Sequence, residues 1–184
     1  MKSKYSAGIK HNARTIELLY RTQYYAYDKL RIITRFIMGF VLIASALFIS
    51  FPLWARGILL LIGTWLVSST DFPAQVRADR VIQSRHNIFP EMHYDFHDGY
   101  FNVSGEGSMN ISYGKISRLI YDSSYMYIFM SRDSVCMIDI KTLSDTEGFM
   151  KFIESATGNE WHKEKSLLAM NIEDLKRISE HTPT

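Results

Sequence analysis

Cysteine, proline and glycine are all scarce in this sequence. One cysteine, four prolines and ten glycines among 184 residues exclude a disulfide scaffold, a collagen-like chain and a low-complexity chain. Cys136 has no partner within the chain for a disulfide, which fits a reducing compartment. Its apolar neighbours Val135, Met137 and Ile138 favour a small buried core residue over a catalytic thiol, because the sequence indicates no histidine or cation beside it.

Charge is missing from one long segment in the first half of the chain. Residues 36–55 contain no ionisable side chain, and Arg56 is the only ionisable residue from there to Thr70. A membrane-spanning helix needs about 20 apolar residues to cross the hydrocarbon core of a bilayer. The uncharged segment is therefore too long for a single crossing and long enough for two.

The middle of this segment carries the signals of a turn. Pro52 removes a helix hydrogen-bond donor, while Trp54 and Arg56 favour the membrane–water interface. These positions predict two helices, 33–51 and 54–71, that form a transmembrane hairpin. A buried hairpin in a soluble protein is the alternative, but the remaining chain is short for covering both helices on all sides. A cleaved signal peptide would need an unusually long leader, so an uncleaved anchor is favoured.

Basic residues flank the hairpin on both sides. Eight Lys and Arg oppose two acidic residues in 1–35, Arg56 is the only charge in 36–70, and twelve Lys and Arg oppose seventeen acidic residues in 71–184. The positive-inside rule predicts that both termini face the cytoplasm. Nucleic acid is not an expected partner, because positive charge is not concentrated on a folded module. Anionic lipid headgroups are an alternative partner, with Arg21, Lys29, Arg31, Arg77, Arg80 and Arg85 as the candidate side chains.

The sequence predicts five segments. The first is an N-terminal cytoplasmic helical segment, 1–32, whose helix Asn12 can cap and which continues into the first span. The others are the transmembrane hairpin at 33–72, a juxtamembrane helix with Pro73 in its first turn at 73–90, a sheet with a closing helix at 91–158, and a C-terminal helix and tail at 159–184.

Alternation of apolar and polar residues predicts an antiparallel meander of about six short strands. The predicted strands cover 92–96, 100–103, 109–113, 116–121, 125–130 and 135–140. A capping box formed by Ser144 and Glu147 then starts an amphipathic helix that ends at Gly158 and covers the sheet. A last helix begins near Asn171 and either packs on the domain or binds a partner.

The clearest candidate for chemistry is a group of three side chains on the first strand. His93, Asp95 and His97 alternate with Met92, Tyr94 and Phe96, so they share one face of the strand, and imidazole with carboxylate suits zinc. The same three residues are also what a solvent face opposite an apolar core should contain. The metal site is therefore a weak candidate, and we expect neither a metal nor any other cofactor. We also expect no catalytic residues, because none of the common catalytic motifs is present.

The order of these elements resembles the YcxB-like family of bacterial membrane proteins. The stretch that carries the resemblance is ISYGKISRLIYDSSYMYIFMSRDSVCMIDIKTLS followed by GFMKFIES, within residues 111–155. The matching aromatic and aliphatic strand positions are Tyr113, Ile116, Leu119, Tyr125, Tyr127, Ile128 and Phe129. The sequence departs from the family at 139–141, where a proline is common, and at a tyrosine where tryptophan often stands.

The resemblance implies an integral protein of the bacterial plasma (inner) membrane with a pleckstrin-homology-like cytoplasmic domain, and it implies no catalytic residues. We therefore expect an α+β protein in which a two-helix transmembrane hairpin precedes an antiparallel sheet closed by an amphipathic C-terminal helix. The expected function is a membrane-anchored, non-enzymatic scaffold or regulatory module that binds a protein or peptide at the cytoplasmic face. An immunity-type protein that neutralises a membrane-acting partner is one version of this function. The alternative is recognition of anionic headgroups, and the oligomeric state stays open.

Overall fold

A computed structural model describes residues 3–86 and 88–163. Within these residues the fold is α+β, with five α-helices and eight β-strands in two four-stranded sheets. The chain divides into two compact units. The sheet unit contains the described residues up to Leu19 and from Val81 onward, and the helical unit contains Tyr20–Arg80.

Two sheets build the core of the sheet unit. The first is antiparallel with the order β1-β2-β3-β4, where the strands are β1 (Tyr5–Lys10), β2 (Glu91–Phe96), β3 (Tyr100–Ser104) and β4 (Ser108–Ser112). The second has the order β7-β6-β5-β8, where the strands are β5 (Arg118–Tyr121), β6 (Tyr125–Phe129), β7 (Val135–Asp139) and β8 (Trp161–Lys163). In the second sheet β8 runs parallel to β5, and the other pairs are antiparallel.

All six predicted strands are confirmed as β2 to β7. The prediction of one continuous meander is wrong, because β4 and β5 belong to different sheets. A 3-10 turn at Tyr113–Lys115 separates them, and the hydroxyl of the buried Tyr113 donates to the backbone carbonyl of His97 at 2.7 Å. This bond holds the turn against the first sheet while the chain passes to the second.

Strands β1 and β8 lie outside the predicted sheet. β1 falls in the segment 1–32, which we predicted to be helical, and it pairs with β2 so that Tyr5 lies opposite Phe96. The local pattern conceals β1, because its alanine and glycine are weak strand formers and its partner is remote in sequence. The outer edge of β1 is covered, since the backbone N–H of Gly8 donates to Oγ1 of Thr142 at 3.0 Å.

The helix that closes the sheet is α5 (Thr146–Thr157). Its cap differs from the prediction. The side chain of Asp145, rather than Ser144, accepts a hydrogen bond from the backbone N–H of Gly148 at 2.9 Å. The predicted end is confirmed, because Gly158 adopts a left-handed conformation with φ of 71°, which glycine allows without strain.

α5 buries one face against the sheets. Phe149 and Ile153 are fully buried, and the Phe149 ring meets the Phe96 ring edge to face at a centroid distance of 4.8 Å. Burying side chains of this size contributes about 1.5–3 kcal/mol each. The predicted amphipathic helix over an antiparallel sheet is therefore confirmed.

Four helices separate β1 from β2. They are α1 (Ala13–Tyr27), α2 (Lys29–Phe48), α3 (Leu53–Ser68) and α4 (Phe72–Ser84). Asn12 caps α1 as predicted, because its Oδ1 accepts from the backbone N–H of Thr15 at 3.0 Å. The predicted continuation of α1 into the first apolar helix is wrong. Asp28 interrupts it with φ of −107° and ψ of 26°. The predicted helix at Pro73 is confirmed as α4.

The predicted spans 33–51 and 54–71 correspond to α2 and α3. In the described residues, α2 alone is long and apolar enough to cross a membrane. α3 reaches that length only together with α4, from which it is bent by 55°. One candidate membrane helix is therefore present, and the two-helix transmembrane hairpin is not confirmed. The predicted helix from Asn171 lies outside the described residues.

Candidate functional site

The helices α2 and α3 form an antiparallel pair that packs closely at two glycines. A Cβ atom on Gly39 would lie 3.0 Å from the carbonyl oxygen of Gly63, and a Cβ atom on Gly63 would lie 2.9 Å from the carbonyl oxygen of Gly39. Both distances are too short for a side chain at either position. The missing side chains therefore let the two backbones approach each other, which is the way small residues act between helices in membranes.

The outer surface of this helix pair is strongly apolar. Eighteen large hydrophobic side chains are exposed in the part of the chain that the structure describes, and all but Ile88 and Met109 lie between Leu30 and Phe72. Among the residues between Leu30 and Phe72, the most exposed are Phe48 at 87%, Leu53 at 86%, Leu61 at 74% and Trp54 at 71%. A contiguous apolar surface of this kind marks a membrane or protein contact, because soluble monomers rarely leave one open to water.

A polar cluster lies at the open end of the hairpin, away from the turn that joins α2 to α3. The hydroxyl of Tyr25 donates a hydrogen bond to Asp71 Oδ1, and Arg21 Nη2 lies 3.4 Å from Asp71 Oδ2. Burial, together with this hydrogen bond, raises the pKa of Tyr25 to about 12. Arg35 Nη1 donates to the backbone carbonyl of Ser69 at 3.4 Å. These contacts tie α1 and the residues after α3 to the base of the hairpin.

The predicted headgroup-binding residues belong to two different units of the chain, and some of them pair with acidic side chains. Arg21 and Arg31 lie beside carboxylates of Asp71 and Asp28, at 3.4 and 3.6 Å, and Arg85 pairs with Glu106. Lys29, Arg77 and Arg80 lie on α2 and α4 of the helical unit, whereas Arg85 belongs to the sheet unit. Three of the six predicted cations therefore already have an acidic partner within the chain.

The three residues of the weak metal candidate point to one side of β2 but do not converge. His93 lies 3.9 Å from Glu91, Asp95 accepts a hydrogen bond from Ser6 Oγ at 2.9 Å, and the His97 ring lies against Tyr100 with a centroid distance of 4.9 Å. Across residues 3–86 and 88–163, no three His, Cys, Asp or Glu side chains are grouped closely enough to hold a metal ion.

A shallow polar depression occupies the same face of the first sheet. Its volume is about 430 Å³, and it is lined by Ser3, Asp95, His97, Tyr100, Asn102 and Asn110. The side-chain amide of Asn102 donates to both Ser108 Oγ and Asn110 Oδ1 at 2.9 Å. Two of the six lining residues, Asn102 and Asn110, therefore bond to each other, and Asp95 is bonded to Ser6 outside the depression.

Cys136 lies in the core, as predicted. The residue is 6% exposed, and burial raises the pKa of its thiol to about 12. A thiol this far from ionisation at neutral pH is a poor nucleophile.

The edge of the first sheet is open along β4. The backbone N–H of His97 donates to Tyr100 at 2.9 Å and closes the β2–β3 hairpin. Because backbone groups alternate in direction along an antiparallel strand, Ser108, Asn110 and Ser112 direct theirs away from β3. No backbone partner for these three residues occurs among the described residues. The sequence does not identify β4 as the open edge, because nothing in its residues Ser108–Ser112 distinguishes an edge strand from a central one.

Comparisons with known proteins add little. No family model and no curated protein matches the chain. A solved structure described as "Structure of the Spt16D Pob3N heterodimer" is similar at 12% identity, over 45% of this chain and 50% of that chain, with a TM-score of 0.33. The chain thus spans about half the length of that neighbour, and a likeness this distant carries no argument about fold or function.

Proposed function

We propose that this chain is an integral membrane protein of the bacterial plasma membrane, in which α2 and α3 anchor a non-enzymatic interaction domain at the cytoplasmic face. The observation that carries the proposal is the apolar outer surface of the two helices. Exposing these apolar side chains to water is unfavourable, whereas contact with lipid chains removes that unfavourable free energy.

The pairing of β1 with β2 supports two crossings rather than one. The two strands are hydrogen-bonded neighbours, and the chain between them contains all four helices α1 to α4. Both strands must therefore lie on the same side of any membrane that the intervening chain enters. If α2 crosses, the chain has to cross back before Glu91, and α3 is the apolar segment available for that return.

The lengths of the helices set how they fit a bilayer. At 1.5 Å per residue, the 20 residues of α2 span about 30 Å and the 16 residues of α3 span about 24 Å. The hydrocarbon core is ~30 Å thick. α2 matches this thickness only when its basic first turns, with Lys29, Arg31 and Arg35, are counted, and its uncharged part is shorter. α3 requires local thinning of the bilayer or the help of the bent helix α4. The basic flanks favour cytoplasmic termini.

The proposed interaction surface is the open edge of β4. An extended segment of a partner protein can add to such an edge through backbone hydrogen bonds, and Met109, which is 61% exposed, offers an apolar contact beside it. We extend the proposal to membership of the YcxB-like family and to a pleckstrin-homology-like domain. The resemblance implies an antiparallel sheet closed by an amphipathic helix, and the strands β1 to β4 with the amphipathic helix α5 are compatible with that arrangement, although the eight strands form two sheets rather than one. A regulatory or immunity-type role is one form of this function.

Membrane integration is tested by charging the outer surface of the hairpin. Phe40 and Leu61 are 60% and 74% exposed, so lysine at both positions would leave the packing of a soluble protein intact. In a membrane, each lysine near a helix centre costs about 2.5–3.5 kcal/mol. We expect the intact chain to resist alkaline carbonate extraction and the Phe40→Lys/Leu61→Lys variant to be extracted. The matched control is Ile88→Lys, which changes an exposed residue outside the hairpin. Extraction of the unaltered chain overturns the proposal.

The β4 edge is tested at Asn110, whose backbone N–H points away from β3. Asn110→Pro removes that donor, while Asn110→Ala keeps it, and both variants lose the same side-chain bond to Asn102. We expect in-cell crosslinking to attach a protein to the unaltered chain and to Asn110→Ala, but not to Asn110→Pro. Equal crosslinking of both variants argues against strand addition at this edge.

Headgroup recognition is the second candidate, favoured by Arg77 and Arg80. No ion pair of either residue is found in the part of the chain that the structure describes. If this candidate is right, the full chain in nanodiscs binds anionic lipid more tightly than neutral lipid, salt weakens that preference, and Arg77→Glu with Arg80→Glu removes it. A preference that survives both substitutions contradicts it.

A further inference from the structure

Arg56 is the one charged residue of the apolar segment 36–70, and one of its side-chain nitrogens has no hydrogen-bond partner in the described part of the chain. It lies in the first turn of α3, where its backbone N–H donates to Pro52 at 3.1 Å. The Nε atom of its side chain is buried and has no hydrogen-bond partner among the described residues. A buried donor on a charged group costs free energy when it makes no hydrogen bond, because the group has lost its hydrogen bonds to water and has no protein acceptor in their place.

No carboxylate of the hairpin can supply the missing acceptor. The sequence contains neither aspartate nor glutamate between Asp28 and Asp71, and these two residues belong to the open end of the hairpin. The neighbours of Arg56 at the closed end are exposed apolar side chains, with Phe48 at 87%, Leu53 at 86% and Trp54 at 71%. Arg56 as a whole is only partly buried, so its guanidinium can meet an anion from outside the helix pair, and no carboxylate within the pair competes for it.

The depth of the hairpin indicates which anion is at hand. This step rests on the proposed membrane anchoring, in which the closed end of the hairpin lies toward the leaflet opposite the cytoplasm. Arg35 and Phe48 are thirteen residues apart on α2, which is about 20 Å along the helix and short of the ~30 Å hydrocarbon core. The bilayer has to thin at the tip of the hairpin. Thinning brings the lipid phosphates of the outer-leaflet headgroup layer close to Arg56. Trp54 is a residue type that favours the same interfacial layer.

We propose that Arg56 binds the phosphate group of a phospholipid in the outer leaflet, at the closed end of the hairpin. The guanidinium suits this ligand, because its planar fork of donors matches phosphate oxygens and makes short, charge-assisted hydrogen bonds. The contact also stabilises the thinned bilayer, so that a hairpin shorter than the membrane can remain inserted.

The test measures lipid retention by the full chain in native mass spectrometry. The lipid probes are phosphatidylglycerol, phosphatidylcholine and a phosphate-free galactosyl diacylglycerol. We expect the intact chain to retain one molecule of either phospholipid more strongly than the galactolipid. Arg56→Gln should weaken that retention about tenfold or more, the factor that corresponds to one lost charge-assisted hydrogen bond. Arg56→Lys should keep part of it, and the control Arg14→Gln, which changes an exposed arginine of the sheet unit, should keep all of it.

The outcomes separate this inference from the proposed function. If the intact chain resists carbonate extraction but retains phospholipid equally with and without Arg56, the phosphate site is refuted and the membrane anchor stands. If the intact chain is extracted, the anchor itself fails. A second experiment adds inorganic phosphate to the same sample. If an adduct of inorganic phosphate displaces phospholipid and depends on Arg56, the proposal that the phosphate belongs to a lipid is overturned.

Discussion

Replacing Gly63 with alanine tests the close packing of α2 against α3. A Cβ atom at Gly63 would lie 2.8 Å from Ile43 Cγ1 and 2.9 Å from the carbonyl oxygen of Gly39. Carbon–oxygen contacts between packed helices are found at ~3.3–3.6 Å, so the helices have to separate by roughly 0.4–0.7 Å. Overpacking costs about 1–3 kcal/mol, and alanine in place of a mid-helix glycine returns about 0.5–1 kcal/mol. Because one clash is with backbone, we expect a net loss of roughly 1–2 kcal/mol.

The same helix supplies the control. Gly57 also lies in α3, but a Cβ atom there would meet nothing within 4 Å. Gly57→Ala should therefore stabilise the helix pair by about 0.5–1 kcal/mol through helix propensity alone. The assay is far-UV circular dichroism of the full chain in mixed micelles, titrated with sodium dodecyl sulfate. Gly63→Ala should lower the midpoint, and Gly57→Ala should raise it. If both variants shift the midpoint in the same direction, the helices do not pack at these glycines and the argument is refuted.

Three further predictions concern single side chains. Phe149→Ala should lower the free energy of unfolding of the sheet unit by about 3–5 kcal/mol, measured by urea unfolding, and Phe149→Leu should cost less. Burial and then Arg85 lower the pKa of His11 from 6.5, so the folded state favours the neutral imidazole. The contribution of His11 to the free energy of unfolding should be complete above pH 6.5 and be lost as the pH falls through the lowered pKa. His11→Asn should flatten this part of the plot of stability against pH. Asp71→Asn should lower the pKa of Tyr25 from about 12, seen by ultraviolet titration against a Tyr25→Phe reference.

Strands that pair with near neighbours were predictable from the sequence. β2 to β7 show clear alternation and are separated by short turns, so each pairing is encoded within a few residues. The burial of Cys136 and the end of α5 at Gly158 follow from equally local signals. These elements required no knowledge of distant parts of the chain.

The features that the sequence did not reveal depend on distant partners or on competition between neighbouring residues. β8 has only three residues, and β1 contains the weak strand formers Ala7 and Gly8. Both become strands because β2 and β5 offer free edges. Ser144 and Asp145 are both good capping residues, and the pattern alone could not decide between them. The partners of the predicted headgroup cations were hidden for a similar reason, since Arg21 meets Asp71 only after the hairpin folds back.

The helix pair is inserted in the chain between β1 and β2, and this order has a consequence for folding. β1 is made before the hairpin and β2 after it, so the first sheet cannot form until the whole helical segment has been synthesised. During that interval β1 is a strand without a partner, and such strands promote aggregation. Its composition reduces the hazard, because Lys4 and Lys10 flank a short segment that contains Gly8, a poor strand former. The same weak strand propensity that makes β1 hard to recognise in the sequence thus suits a strand whose partner is synthesised only after four helices.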